Sequence, residues 1–539
     1  MKYIRYLIGL VFWLPVLLNG QVDTSWVRKY NGPVNGLDWA SEIQVDRQGN
    51  IFLAGESDGS GTHVDGVLIK YNSAGILQWV KRYNGPNNLD DAFYYMKLDT
   101  IGNIYVAGIT SANDSSYNFL VIKYNANGDT VWKRTYNGTG NYDDVVEGLT
   151  VDNLGNVYIT GESFGAGTGL DIVTIKYNAT GTAQWIVRYN GSASDDDIPG
   201  YGISVDNSYN IFVTGGVVNT TGNIDMVLIK YSSTGSQVWT RTYNGTGNSY
   251  DFGNVLNIDY AGNIYICVES QGVSSYLDFL VVKYNSAGDQ QWVNRYNGPG
   301  NDEDIPITLV FDNQGNVFAA GWTYSTANGY DMLTIKYNSA GDTLWTRRYN
   351  GPAGQEDKVW HMAIDNPGNV YVAGTSVGSG TGNDYIIIKY STDGIQRWLS
   401  RYTSAGNNFD QIACITLDNS PNIYVTGGCW VSSQDFNITT IKYNQVQGIE
   451  EEQSLLTRNL GALEVFPNPA KSFLTIRFPT VIGNRRIQIF DITGKLVKNE
   501  EFKSSKVQEV RISLNGIRNG VYFVRAENNF VKEKVIIAR

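Results

Sequence analysis

The stretch Met96-Lys-Leu-Asp-Thr-Ile-Gly-Asn-Ile-Tyr-Val-Ala-Gly108 decides the fold. Met96 and Leu98 put apolar side chains on one face of an alternating segment, and a second apolar run starts at Ile104. Between them, Asp99 to Asn103 reads as a tight turn in which Gly102 takes positive φ and Asn103 tolerates it. The result is a hairpin of two short strands, Ala92–Asp99 and Ile104–Gly108. Downstream, Phe119–Tyr124 and Thr130–Tyr136 read as two further strands, joined by the turn Tyr124-Asn-Ala-Asn-Gly128. We name the four strands a, b, c and d from the expected axis outward.

This unit recurs along the chain, marked by a Trp in strand d at Trp26, Trp79, Trp132, Trp185, Trp239, Trp292, Trp345 and Trp398. The steps are 53 residues each, with a single 54. A repeat of that length built from four short strands predicts a propeller blade. The repeats start on a lone d strand, Ser25–Tyr30, and end on a lone c strand, Ile438–Tyr443. The first strand is therefore expected to complete the last blade, leaving no radial edge unpaired. Eight D-x-x-[GYP]-N turns from Asp46 to Asp418 give the blade count. The predicted fold class is all-β: a single β-propeller of eight four-stranded blades closed by the N-terminal strand, then a small C-terminal Ig-like β-sandwich.

The core I-x-V-D-x-x-G-N-I-Y-V-A-G, present at Ile43–Gly55 and Met96–Gly108, resembles the SBBP-type β-propeller repeats of bacterial exported proteins and, more distantly, NHL repeats. The resemblance covers about four fifths of the chain and implies a propeller without a single activity. Those families are usually seven-bladed, so eight units are a departure.

The predicted organisation is a signal peptide over 1–20, the propeller over 21–447, a linker over 448–462 and a C-terminal domain over 463–539. Lys2 and Arg5 precede the apolar run Leu7–Leu18, and Gly20 stands before Gln21, the pattern of a cleaved export signal. No Cys follows the cleavage point, so no lipid anchor is expected, and no transmembrane segment remains after cleavage. A net charge of −11 and a pI near 4.9 exclude a nucleic-acid binder, since no basic stripe meets phosphates. Cys267, Cys414 and Cys429 are an odd set and read as buried thiols.

After the acidic Glu450-Glu451-Glu452 linker come Val465-Phe-Pro-Asn-Pro469, the strands Phe473–Phe478 and Ile487–Phe490, the turn Asp491–Lys495, Asn519–Arg525 and a last strand Val531–Arg539. This order resembles the type A C-terminal sorting domain of the type IX secretion system of Bacteroidota. The resemblance implies that the chain meets the type IX machinery and is secreted or held at the outer-membrane surface.

The d–a and b–c loops are varied and rich in Gly, Asn, Ser, Thr and Asp, whereas the a–b and c–d turns are short and uniform. Varied loops over a rigid scaffold place any site on the first face. The repeat constants read as structural. Each d-strand Trp is expected to be a packing anchor worth roughly 5 kcal/mol gross if fully buried. An Asp lies eight residues after every d-strand Tyr, at Asp38, Asp91, Asp144, Asp197, Asp251, Asp304, Asp357 and Asp410. Each is expected to accept N–H bonds in its own loop. Strand c carries Asp65, Asp171, Asp225, Asp278, Asp331 and Asp384, with Asn118 and Asn437 in the other two units, so strict Asp is not required there.

Departures from the repeat are the ligand-binding candidates: Trp39, Trp322, Trp360, His361, Trp430, Glu56, Glu162 and Glu269. Trp with Glu, Asp and Asn is the composition of a carbohydrate surface, where a ring covers a sugar face and carboxylates accept hydroxyl protons. No D-x-[DN]-x-[DN]-G loop is present, so no cofactor is expected. Calcium stays open at the carboxylate-dense loops, with Asp195, Asp197, Asp302 and Asp304 as candidate ligands. No G-x-S-x-G elbow stands near either His, and no His/Cys cluster has zinc spacing, so no catalytic residue is assigned.

The residues favour an exported binding module for an extracellular glycan or protein over an enzyme. The alternative is a propeller hydrolase or lyase acting on polysaccharide through a carboxylate pair. A third reading comes from Tyr284-Asn-Ser-Ala-Gly-Asp-Gln-Gln-Trp292, which looks like the tryptophan docking element of quinoprotein dehydrogenases, although their vicinal Cys pair is absent.

Overall fold

In the computed structural model the chain divides into two compact units, Met1–Val446 and Gln447–Arg539. The structure describes residues 22–445 except 114–115, 194, 407, 421 and 433–434, and residues 464–537 except 468, 483–484, 492–494, 503–506 and 527–528. The expected signal peptide and linker lie outside the described residues. No helix among the described residues is long and apolar enough to cross a membrane.

The first strand, β1, is Val22–Tyr30. Blade 1 follows as β2 Asp38–Val45, β3 Ile51–Asp58, β4 Val64–Tyr71 and β5 Leu77–Tyr83, paired antiparallel in that order. β6 to β29, residues 91–402, repeat this pattern six times. Blade 8 consists of β30 Asp410–Leu417, β31 Ile423–Ser432 and β32 Asp435–Gln445, with β1 as its outer strand. β1 runs antiparallel to β32 from Val22↔Gln445 to Tyr30↔Ile438. The first strand therefore does complete the last blade.

Strands b and c are buried on both faces between neighbouring blades, which is why they read as near-continuous apolar runs such as Ile69 and Val67 opposite Leu53 and Gly55. The apolar core is a series of clusters, one per junction. The cluster of Ala40, Ile43, Leu53 and Ile69 takes in Cys414, Tyr424 and Ile438, so blade 8 packs on blade 1 as well. All three cysteines are buried and free, and Cys414 faces Thr426 while Cys429 faces Asp410.

One feature of strand a escapes an alternation-based reading. In every blade its pairing with strand b slips after the third residue, as between Ala40 and Glu42 or Val359 and His361. The slip is a β-bulge that sets one residue out of the ladder and bends the strand. The single 54-residue step falls here: in blade 4 the slip widens to span Pro199 to Ile203.

In the second unit, β33 Glu464–Phe466, β34 Phe473–Ile482 and β37 Val507–Ser513 form one sheet. β36 Leu496–Phe502, β35 Arg485–Asp491, β38 Gly520–Ala526 and β39 Asn529–Ile537 form another. Leu474, Ile476 and Ile512 from the first meet Ile487, Ile489 and Val524 from the second in one buried cluster.

Candidate functional site

The loop-bearing end of each blade is fixed by a side-chain network that starts at the repeat Asp. Asp38 is fully buried; it accepts the Gly32 N–H at 2.8 Å and the Ser57 hydroxyl. Arg82 of β5 donates to Ser57 Oγ and O at 2.7 Å, to Asp65 Oδ2 at 2.8 Å and to Tyr30 OH at 3.3 Å. Four strands of one blade and the outer strand of the preceding one are thus tied at one point. Arg188 and Arg401 repeat the set, and Arg295 binds Ser270 and Asp278 in the same way. Where strand c carries Asn118 or Asn437, strand d carries Thr135 or Lys29 instead of Arg. Asp225 is the exception; its blade carries Thr242 in place of the arginine, and the carboxylate accepts from Asn219 at 3.0 Å. The c-strand carboxylate serves the arginine, and that pairing was legible in the co-occurrence of Arg-Tyr on d with Asp on c.

The d-strand Trp sits over the c–d turn of the next blade. At that turn a glycine takes positive φ, +73° at Gly75 under Trp26 and +78° at Gly128 beside Trp79, where any other residue would be strained and its Cβ would crowd the ring. Trp132, Trp345 and Trp398 are buried, but Trp26, Trp79, Trp185, Trp239 and Trp292 are half-buried, short of the full burial expected. Strand d is the outermost strand, and several of its rings lie under Arg or Lys side chains, as Trp26 does under Arg28 and Trp239 under Arg241. A conserved-position Lys adds a second tie, as when Lys70 reaches Ala126 O at 3.2 Å and Lys283 reaches Ser339 O at 2.9 Å in the following blade.

Around the axis on the loop-bearing end, the departures from the repeat fall into two arcs. Blades 6 to 8 and blade 1 carry aromatics. Trp322 and Trp360 stand edge to face with centroids 5.7 Å apart, and Trp360 Nε1 donates to Thr375 Oγ1 at 3.0 Å. The Lys358 ammonium lies over Trp322 at 5.6 Å. Trp430 and Trp39 both meet the Phe436 ring, at 4.9 and 6.5 Å. Blades 1 to 5 carry carboxyls and phenols. Burial, with Asp90 and Asp58 nearby, raises the Glu56 carboxyl to about 7. Glu147, also raised to about 7 by burial, accepts from Tyr95 OH at 3.0 Å and feels Glu162. Glu162 and Glu269 are raised by burial too, and Asn254 Nδ2 holds Glu269 at 2.7 Å. Tyr201, 60% exposed, stands within the field of Glu147, Glu269 and Glu162.

His361 follows Trp360 in sequence yet belongs to a different site. It lines an axial cavity of about 310 Å³ with Glu42, Lys97 and Cys414, from the inner strands of blades 7, 1, 2 and 8. Burial lowers the imidazole to about 4, helped by Lys97. The Cys414 thiol donates to Glu42 Oε2 at 3.5 Å. The bulge explains the split: Trp360 is the residue set out of the ladder, and His361 resumes it.

Trp322 and Trp360 are therefore brought together, as are Trp39 and Trp430 through Phe436. Glu56, Glu162 and Glu269 share one register position at separate blades, each opposite the second residue of strand a. Glu147, Tyr94, Tyr201, Glu42 and Lys97 were missed by sequence reasoning. The available signal was variability at one column, since the bulge position holds Ser41, Tyr94, Glu147, Asn254, Ile307, Trp360 and Ala413. Of the candidate calcium ligands, Asp197 accepts from Gly191 N, and Asp304 from the Thr323 hydroxyl. Asp195 is exposed and Asp302 half-buried, and no acidic, His and Cys cluster able to hold a metal occurs among the described residues.

Comparison with known proteins adds two family matches. Residues 133–166 match the SBBP β-propeller repeat, and residues 464–538 match the secretion system C-terminal sorting domain. The chain carries propeller repeats and the tail that addresses the type IX sorting machinery, and it is secreted or held at the outer-membrane surface. No curated protein matches it. Among solved structures, a protein of unknown function from Bacteroides caccae is 11% identical, covering 55% of this chain and 93% of its own at a TM-score of 0.32. One from Dyadobacter fermentans is 9% identical, covering 78% and 99% at 0.36. The polysaccharide lyase Uly1 is 12% identical, covering 65% and 89% at 0.40. Similarities this distant carry no argument.

Proposed function

We propose that the chain is an exported eight-bladed propeller, closed by its first strand and followed by an Ig-like sandwich, whose loop-bearing face binds an extracellular glycan. Closure is supported by a contact that recurs at a constant step. Arg134, Arg241 and Arg347 each donate Nε to the c–d turn glycine 47 residues on, in the next blade. Arg28 of β1 does the same to Gly75 of blade 1 at 2.5 Å. Blade 8 thus treats blade 1 as blades 2, 4 and 6 treat their successors.

The glycan reading rests on the Trp322–Trp360 pair. Both rings are half-exposed, and Thr375 and Lys358 hold them in fixed orientation, so an angled apolar surface is offered with little loss of side-chain freedom on binding. Across the axis, the carboxyls and Tyr201 supply hydroxyl partners. A glycan array probed with the mature chain tests this, with calcium and with EDTA. Selective binding should fall at least tenfold in Trp322→Ala and Trp360→Ala and be unchanged by EDTA, because Asp197 and Asp304 are already committed within their loops. Binding indifferent to both substitutions would reject the pair as the site.

A polysaccharide-cleaving enzyme is the second reading, favoured by Glu147 and Glu56, carboxyls raised to about 7 and so suited to donate a proton near neutrality. Reducing ends released from a bound polysaccharide, and lost in Glu147→Gln, would move the assignment there.

A further inference from the structure

The junction between blades 7 and 8 breaks the repeat in a way that the mouth of the ring does not. The residue just before each repeat Asp is acidic in five blades: Asp90, Asp143, Asp196, Glu303 and Glu356. In three of these its carboxylate accepts an N–H from the start of strand c in the preceding blade. Val64 N donates to Asp90 at 3.3 Å, Tyr117 N to Asp143 at 2.9 Å and Leu170 N to Asp196 at 2.8 Å. In blade 8 the position is Phe409. There the backbone takes over the tie, with Asn383 and Phe409 forming a parallel bridge, and the ring turns edge-on to Phe436 at 6.2 Å. The two other blades without an acid at this position, with Leu37 and Tyr250, form the same kind of bridge to Phe436 and Ile224, so the junction of blades 7 and 8 is one of three that lack the carboxylate.

At that junction lies an open cleft of about 650 Å³, a size common to small-molecule sites. Its polar groups are the amides of Gln355, Asn383 and Asn408 and the hydroxyls of Ser379 and Thr381, with Phe409 as the aromatic wall. Among the described residues, no Asp, Glu, Lys, Arg or His lines it. The wall opposite Phe409 is Gly378-Ser-Gly-Thr-Gly382, closed by the Gly378 N–H donating to Gly382 O at 3.0 Å, so backbone groups lie open between small side chains. Asp384, beside Gly378, is buried and bound by Arg401 at 2.8 Å and by the Thr381 hydroxyl at 2.9 Å. The Thr381 oxygen is left as an acceptor.

We infer that this cleft is a subsite for an uncharged sugar unit of the glycan, a deepening that rests on the glycan-binding reading above. Amides and hydroxyls both donate and accept, which suits vicinal hydroxyls, and Phe409 offers the apolar side of the pyranose a surface. A uronate or sulfated unit would find no counter-charge there and would approach a chain of net charge −11. The Trp322–Trp360 pair and the cleft are separate walls of one face, and each is testable alone.

The test is calorimetric titration of the full mature chain with hexasaccharides. Gluco-, manno- and xylo-hexasaccharides form the uncharged series, and oligogalacturonate and oligoguluronate hexamers the charged one. Phe409→Asp restores the residue type that blades 2 to 4 carry at this place, and Asn408→Ala removes one amide from an exposed loop. Both variants are expected to melt within a few degrees of the parent. An uncharged hexasaccharide should bind with little salt dependence, weakening at least tenfold in Phe409→Asp and about threefold in Asn408→Ala. Unchanged affinity in both, with loss in Trp322→Ala, would overturn the cleft and leave the glycan reading standing. Binding confined to the charged series would overturn the cleft's sugar class, and no binding by either series would overturn both readings. Should Phe409→Asp fail to fold, unchanged affinity in Asn408→Ala and Ser379→Ala together rejects the cleft.

Discussion

Arg188 gathers Ser163, Asp171 and Tyr136 around one guanidinium, the last from the preceding blade. Asp171 is fully buried, so removing Arg188 leaves a carboxylate out of water and without its counter-ion. Arg188→Thr is expected to cost about 3 kcal/mol, most of it from that orphaned charge. Adding Asp171→Asn rebuilds the Asn118 and Thr135 combination that blade 2 uses and should recover more than half of the loss. Urea unfolding of parent, single and double variants reads this directly. A double variant no more stable than Arg188→Thr would mean that packing of the guanidinium, and not its pairing, is what the blade needs.

β1 works differently at the scale of an element, because it comes from the opposite end of the chain. It gives β32 its second hydrogen-bonded neighbour, and through Trp26 and Arg28 it grips the c–d turn of blade 1. Blade 8 has no c–d turn of its own to receive Lys389 from blade 7. The Gln445 side chain fills that place, accepting from Lys389 at 2.6 Å and donating to Tyr371 OH at 2.7 Å. A chain beginning at residue 32 leaves β32 as an exposed edge with apolar faces, which invites pairing with other chains. It should lose cooperative melting and elute as aggregate in size-exclusion chromatography. A monomer that melts within a few degrees of the mature chain would show that the closing strand is dispensable.

Carboxyl groups dominate the pH response of the whole molecule. Asp38 and Asp304 are raised to about 6 and Glu56 and Glu147 to about 7, all chiefly by burial, and Asp91, Asp144, Asp251 and Asp357 are raised in the same direction. A carboxyl raised on folding makes the folded state hold protons that the unfolded chain has released. Its stabilisation is complete below the unfolded value near 4 and is lost as pH rises through 6 to 7. His361, lowered to about 4, acts in the opposite sense, but it is a single group. The propeller should therefore melt higher at pH 5 than at pH 8, by on the order of 5 °C, and Glu147→Gln should flatten part of the slope. Equal or higher melting at pH 8 would contradict the burial of these groups. The second unit governs destination: removing residues 463–539 should trap the propeller in the periplasm, and normal surface delivery of the shortened chain would separate the tail from export.

The sequence by itself determined the blade, the blade order, the face that carries variable loops and the sorting tail. Those depend on alternation, turn residues and a 53-residue period, which are local or repeat at a constant step. The partner strand of β32 was legible because the repeats begin and end out of phase. Which departures meet was decided only in three dimensions. Trp360 and His361 are adjacent in the chain yet serve the mouth and the axial cavity, because a bulge that no alternation pattern reveals sets one of them out of the ladder. Phe409 carries no signal in the repeat pattern, and only its place between Asn383 and Phe436 shows a ring where blades 2 to 4 hold an Asp. Bulges and blade junctions join residues tens of positions apart through packing, and the chemistry of a site is set where those junctions close.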